Sequence, residues 1–209
     1  PMPTAPVFIT TTGDVVVGPD VEIVLPADAP DHVDYEGELA LIVGSEGKNI
    51  PAEDAWKYIA ALTIVNDVSA RDVQLSGMVD GVITDISRMR RGKAFPTFKP
   101  LGPCLATVDE FGTPLDLAIT TYVNGEVRQS ARTSEMIFSI PEIINHVSSS
   151  TRLMPGDVIL TGTPAGVGLA TDTYLKAGDL VEIEIEGIGR LTNPVVSGIS
   201  ASILGPPHP

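Results

Sequence analysis

Short β-branched and alternating runs recur along the chain, and they predict a fold built mainly of strands. Val7-Phe8-Ile9-Thr10-Thr11 and Asp14-Val15-Val16-Val17 flank Thr12-Gly13, and Val21-Glu22-Ile23-Val24-Leu25 alternates with a period of two. The opening therefore reads as a meander of strands. A Pro/Asp/Ala loop from Pro26 to Pro30 leads into Asp34-Tyr35-Glu36-Gly37-Glu38-Leu39-Ala40-Leu41-Ile42-Val43-Gly44, apolar enough beyond Glu38 to be a buried strand. A short helix is predicted from Pro51 to near Ile59, with Pro and acids in its first turn. Leu62 to Ser69 is a second buried strand that turns polar at Asp67, and Ala70 to Leu75 fits a helical turn. Gly77 to Gly92 has no clear period.

The second half is more regular. Leu115 to Val123 reads as a strand, Asn124-Gly125 as a tight hairpin turn, and Glu126-Val127-Arg128 as the start of the return strand. A helix is predicted from Ser139 to Val147, with Pro141 and Glu142 in its first turn. Val158 to Thr161, Leu180 to Glu186 and Leu191 to Val196 are further strands. In the second of these, Glu182, Glu184 and Glu186 alternate with apolar residues, as on the solvated face of an edge strand.

Length and charge narrow the function. The 209 residues suit one domain, read as a single catalytic domain over 1–209 with tails at 1–5 and 198–209. The 27 acidic against 13 basic residues, a formal charge of -14, disfavour nucleic acid and anionic membrane surfaces as partners. No run is long and apolar enough for a membrane span and no signal-peptide pattern opens the chain, so a cytoplasmic location is expected. Pro1 precedes Met2, so the natural N-terminus is not assumed. The single cysteine, Cys104, excludes an internal disulfide and a cysteine-rich zinc site, and is expected to be a small core residue.

Side chains two apart on a strand point the same way, so Glu36 and Glu38 stand side by side where an apolar run begins. Either they lie on the wet entry of a sheet, or a hard cation neutralises them. Asp67, at the polar end of the other buried strand, is the third candidate oxygen ligand for Mg²⁺ or Mn²⁺. Arg71, Asp72 and Gln74 follow at a strand-to-helix turn, and Lys93 and Thr163 lie in two further polar loops. The basic group Arg88, Arg90 and Arg91 is either an exposed charged loop or an anion site. Gly162 to Gly168 lacks the Gly-Lys-Ser/Thr of a phosphate loop. A metal, an Arg, a Gln, a Lys and a Thr together suit a small anionic oxo-acid.

The motifs Asp34-Tyr35-Glu36-Gly37-Glu38-Leu39-Ala40, Asn66-Asp67-Val68-Ser69-Ala70-Arg71-Asp72-Val73-Gln74, Gly92-Lys93-Ala94-Phe95, Pro100-Leu101-Gly102-Pro103 and Gly162-Thr163-Pro164 follow one another in an order that resembles the fumarylacetoacetate hydrolase family. The resemblance runs from about Pro6 to about Val196. It implies an α+β, β-rich fold, a mixed β-sandwich roll, in a homodimer with Mg²⁺ or Mn²⁺ at its mouth. It makes Glu36, Glu38 and Asp67 the metal carboxylates, Arg71, Gln74, Lys93 and Thr163 the substrate-binding residues, and Lys93 the catalytic lysine, its neutral form favoured by the nearby arginines. The activity it implies is cleavage of a carbon-carbon bond of a small 2-oxo or 1,3-diketo acid such as an acylpyruvate. The alternatives are decarboxylation of an oxaloacetate-like acid, isomerisation or hydration of an unsaturated 2-oxo-diacid, and binding of a small acid without catalysis. Many relatives carry a His and a Glu on an N-terminal lid that orient water; no counterpart is found here, and His32 is too close to Glu36 to fill that role. On a complete chain this would favour decarboxylation or isomerisation.

Overall fold

The computed structural model describes residues 3–198. Strands β1 (Val16–Val17), β2 (Ile23–Leu25) and β3 (Val33–Asp34) lead to the long β4 (Gly37–Val43). A 3-10 segment, Ala52–Tyr58, connects it to β5 (Ile59–Asn66) and β6 (Ser69–Ala70). An excursion follows: α1 (Arg71–Leu75), the hairpin β7 (Met78–Val79) and β8 (Val82–Ile83), and α2 (Ile86–Arg91). The chain returns as β9 (Lys99–Thr107), then forms the hairpin β10 (Ala118–Val123) and β11 (Glu126–Arg132). It ends with α3 (Ile140–Ser150), β12 (Val158–Leu160), α4 (Gly168–Thr171), β13 (Leu180–Ile185) and β14 (Gly189–Ser197).

Two five-stranded sheets carry the fold, in the orders β1-β9-β5-β4-β12 and β11-β10-β13-β14-β2. Both are mixed, because β1 runs parallel to β9 and β14 parallel to β2 while the other pairs are antiparallel. Leu39, Leu41, Leu62 and Ile64 of the first sheet share a core with Ile119, Ile183, Ile185 and Leu191 of the second, joined by Ile140, Ile144 and Val147 of α3. A second core gathers Ile23, Val33, Tyr35, Val68, Phe98, Val123 and Val195. This is the β-rich α+β sandwich roll that the strand pattern and the family resemblance imply. At roughly 25 cal/mol per Å² of apolar surface removed from water, these two cores supply most of the folding drive.

Several elements differ from the sequence reading. Residues 7–11 form no strand. Phe8 instead packs edge-on to His146, with ring centres 6.1 Å apart. The predicted helix near residue 51 is 3-10 rather than α. Residues 86–91 form α2, capped by Asp85, whose carboxylate accepts from the Ser87 and Arg88 N–H groups. Strand β9 lies hidden behind Pro100 and Pro103, residues that ordinarily speak against an inner strand. Its pairing with β5 tolerates them through a register shift between Leu62 and Ile64. Cys104 sits in that irregular stretch and is exposed, not in the core, with its Sγ 3.3 Å from the Ile188 carbonyl. Strand β13 is not an edge but lies between β10 and β14. Glu182 and Glu184 are held there by Arg190, at 3.0 and 2.6 Å. Among the described residues no helix is long and apolar enough to cross a membrane. Residues 1–2 and 199–209 of the expected tails lie outside the described residues, while Pro3, Thr4 and Ala5 are exposed and outside any strand or helix.

Candidate active site

Antiparallel pairing of β4 with β5 sets Gly37 opposite Asn66, and the Asp67 N–H donates to the Glu36 carbonyl at 2.9 Å. That register brings Asp67 beside Glu36 and Glu38: one ligand oxygen from each lies within 4.8 Å of the others, and all three residues are buried. Gly37 is the hinge of the motif. A Cβ at this position would overlap Thr121 Oγ1 of β10 and meet Ile183 Cγ2 at 3.3 Å, so only glycine lets the strand lie this close to the second sheet. The two glutamates point away on the opposite face.

Burial raises the Glu38 pKa well above the usual carboxylate range, and the charges of Asp67 and Glu36 push the same way. The Gly162 N–H, donating to Glu38 Oε2 at 2.6 Å, only partly offsets this. A cluster of this kind calls for positive charge. Lys93 supplies part of it, its Nζ lying 2.7 Å from Glu36 Oε2 and 2.6 Å from Asp67 Oδ2. Burial alone would lower the Lys93 pKa, but Asp67 and Glu36 prevail and raise it. The neutral lysine expected from its arginine neighbours is therefore corrected. Those arginines look elsewhere: Arg88 pairs with Asp85 at 3.4 Å, Arg91 with Asp28 at 2.9 Å, and Arg90 donates to the Thr10 carbonyl.

A second buried lysine, Lys99 at the start of β9, was not singled out by the sequence. Its Nζ stands 2.8 Å from Asp67 Oδ1 and donates to the carbonyls of Lys93 at 2.5 Å and Phe98 at 3.1 Å. Burial would raise the Asp67 pKa, yet Lys93 and Lys99 together hold it below the ordinary range.

Arg71 completes the cationic wall. Its Nε donates to Asp34 Oδ2 at 2.8 Å, Nη2 reaches Asp34 Oδ2 and Glu36 Oε1 at 2.7 Å each, and Nη1 donates to Gln74 Oε1 at 2.7 Å. Asp34, also not singled out, is fully buried and accepts from the Gly168 and Leu169 N–H groups at 2.6 and 3.0 Å. Gln74 packs against Gly92, where a Cβ would fall 2.6 Å from its own. Thr163 lies on the far side of the motif: its hydroxyl donates to the Gly37 carbonyl at 3.1 Å and accepts from Gln129 Nε2 at 2.8 Å. Buried Gln129, a third residue without a sequence signal, also accepts from the Gly37 N–H at 3.0 Å and donates to the Pro164 carbonyl. The structure thus gathers Glu36, Glu38, Asp67, Arg71, Gln74 and Lys93 into one network and ties Thr163 to it through Gly37. A cavity of about 710 Å³ bounded by Phe8, Met136, Phe138 and Val147 meets this network only around Gly162 and Thr163; none of the three carboxylates lines it.

Three buried carboxylates converging on one point are a hard-oxygen donor set that fits Mg²⁺ or Mn²⁺. Glu36, Glu38 and Asp67 would hold such an ion.

Comparison with known proteins agrees with this geometry. The chain is 43% identical over 198 residues to the mitochondrial oxaloacetate tautomerase FAHD2A of Bos taurus, covering 94% of this chain and 60% of that protein. It is thus about three fifths as long as the curated relatives it matches. Among solved structures, a 5-carboxymethyl-2-hydroxymuconate delta-isomerase from Mycobacterium smegmatis is 45% identical with a TM-score of 0.82, covering 94% of this chain and 71% of that one. A 2-hydroxyhepta-2,4-diene-1,7-dioate isomerase from Mycobacterium marinum is 46% identical with the same TM-score, at 95% and 71% coverage. Residues 1–196 match the description of the fumarylacetoacetate (FAA) hydrolase C-terminal domain, and the chain belongs to that family.

Proposed function

We propose that the chain is a divalent-metal-dependent enzyme that moves a proton within a small 2-oxo acid, as a tautomerase or isomerase of an oxaloacetate-like or unsaturated 2-oxo-diacid. The observation that carries this reading is the position of Lys93 Nζ, within 2.7 Å of two of the three carboxylates and favoured as an ammonium. A bound Mg²⁺ or Mn²⁺ would supply positive charge against the oxygen of an enolate. Lys93 would give its proton to the enolate carbon, forming the keto acid, and recover one from the hydroxyl of the next enol, so that protons balance over a turnover. Arg71 sets the orientation of Glu36 and Gln74, and Thr163 fixes the Gly37 backbone between the two glutamates. Carbon-carbon hydrolysis, the first expectation from the sequence, needs in addition a base to activate water. Glu36, Glu38 and Asp67 are the carboxylates assigned to the ion in this reading and do not also serve as that base. The relatives named as tautomerases and isomerases favour the same choice. A homodimer belongs to the proposal, and a light-scattering mass of two chains is expected.

The test is to assay oxaloacetate tautomerisation, 2-oxo-diacid isomerisation and acylpyruvate cleavage side by side with Mg²⁺ and Mn²⁺. Proton transfer should be the fastest, and Lys93→Met should slow it by roughly 10²-fold or more while metal still binds. Faster acylpyruvate cleavage would overturn the reading in favour of hydrolysis. Bound metal with no turnover of any substrate would leave a small-acid-binding protein.

A further inference from the structure

Four carboxylates are buried among the described residues, Asp34, Glu36, Glu38 and Asp67, and the metal reading uses the last three. Asp34 lies on β3, whose pairing with β6 sets it opposite Ser69, two residues before Arg71. Both of its oxygens are engaged. Oδ1 accepts from the Gly168 N–H at 2.6 Å, and Oδ2 accepts from the Leu169 N–H at 3.0 Å and from Arg71 Nε at 2.8 Å. The main chain fixes one side of the carboxylate: a Cβ at residue 168 would fall 2.7 Å from Oδ1, so glycine there lets the turn close on it. The other side grips Arg71, whose Nη2 stands 2.7 Å from Asp34 Oδ2 and 2.7 Å from Glu36 Oε1. One guanidinium nitrogen thus spans the two carboxylates. Because the guanidinium is a rigid plane, fixing its Nε edge also fixes the direction in which Nη2 points. Its charge is shared in the same way, and an uncharged side chain at position 34 would leave that charge bearing on Glu36 alone.

We infer that Asp34 is a positioning residue of the metal centre: it ties Arg71 to the main chain at Gly168 and Leu169, so that Nη2 holds Glu36 in place for the cation. The inference rests on the metal reading proposed above, with Glu36 as a ligand. Asp34 acts through Arg71 and does not itself ligate. Partners that orient metal ligands contribute about 10–100-fold to metal affinity. Asp34 stands one residue further out than such a partner, so its effect belongs at the lower end of that range.

The test is calorimetric titration with Mn²⁺ of the unaltered chain, Asp34→Asn and Ile144→Val, with thermal melts to establish folding. Metal affinity is read directly, without turnover. Asp34→Asn should weaken Mn²⁺ binding roughly tenfold and change the electron paramagnetic resonance line shape of the bound ion. Ile144→Val, in the buried core of α3, should lower the melting temperature and leave Mn²⁺ affinity where it was, which separates lost stability from lost positioning. In an Arg71→Gln background, Asp34→Asn should change the affinity by less than about twofold, because its route to Glu36 is gone. The full tenfold loss persisting there would show a direct effect of the lost charge and overturn the inference. Folded Asp34→Asn that binds Mn²⁺ like the unaltered protein overturns the role of Asp34 alone. Should the variants not fold, a Mn²⁺-loaded crystal of the unaltered protein decides the matter: Arg71 Nη2 still between Asp34 and Glu36 upholds the inference, and a guanidinium turned away from Glu36 overturns it. No Mn²⁺ binding at all by the unaltered protein overturns the metal reading and this inference with it.

Discussion

At the scale of the residue, the site is governed by neighbouring carboxylates pushed in opposite directions. Burial raises Glu38, whereas Lys93 and Lys99 hold Asp67 down. Each direction fixes the pH window in which the group stabilises the fold. For Glu38 the folded value lies above the unfolded one, so its contribution is complete below about pH 4.3 and is lost as pH rises through the raised folded value. For Asp67 the contribution is present above about pH 3.9 and is lost only as pH falls through the lowered folded value. In chelator, the melting temperature should therefore carry a component that declines as pH rises above the ordinary glutamate range, and Glu38→Gln should remove that component. Proton release provides a second reading: a cation that binds ionised Glu38 expels its proton. Mn²⁺ titrations in two buffers of different ionisation heat should give different apparent enthalpies, and equal enthalpies would contradict the Glu38 assignment. The period of a strand was enough to place Glu36 and Glu38 on one face. Nothing comparable marked Lys99, which stands in a proline-broken run, or Gln129, whose partners belong to another sheet.

At the scale of the element, the pairing of β4 with β5 and the close approach of β4 to β10 build the site together. Gly37→Ala tests the second. The added methyl group would overlap the buried Thr121 hydroxyl and crowd Ile183 and Gln129. Overpacking of this kind costs about 1–3 kcal/mol, and denaturant midpoints should fall accordingly. Thr121→Ala in the same chain should recover part of the loss, while an unchanged midpoint for Gly37→Ala would mean that the sheets are free to separate. The buried strands and the hairpin at Asn124-Gly125 were legible because apolar runs and turn residues are local signals. Residues 7–11 have the composition of a strand but no ladder partner, whereas β9 has partners but an unfavourable composition. Tertiary pairing decided both, and local propensity carries no information about it.

At the scale of the whole molecule, two mixed sheets enclose the core while the excursion from α1 to α2 folds back to place Arg71, Gln74 and Lys93 around the ends of β4 and β5. The α1–α2 excursion has no regular hydrophobic period. Its role shows only in the polar contacts it makes, so those residues were marked in the sequence by their place in polar turns and by the family resemblance, not by periodicity. In the proposed function, Glu36, Glu38 and Asp67 jointly hold a divalent cation against which a 2-oxo acid is oriented. The most direct measurement is a crystal of the protein soaked with Mn²⁺ and oxalate, recorded at a wavelength where manganese scatters anomalously. One anomalous peak is expected, bounded by oxygens of all three carboxylates, with oxalate completing its coordination. A peak elsewhere, or a fully occupied oxalate with no manganese beside Glu38, would contradict it.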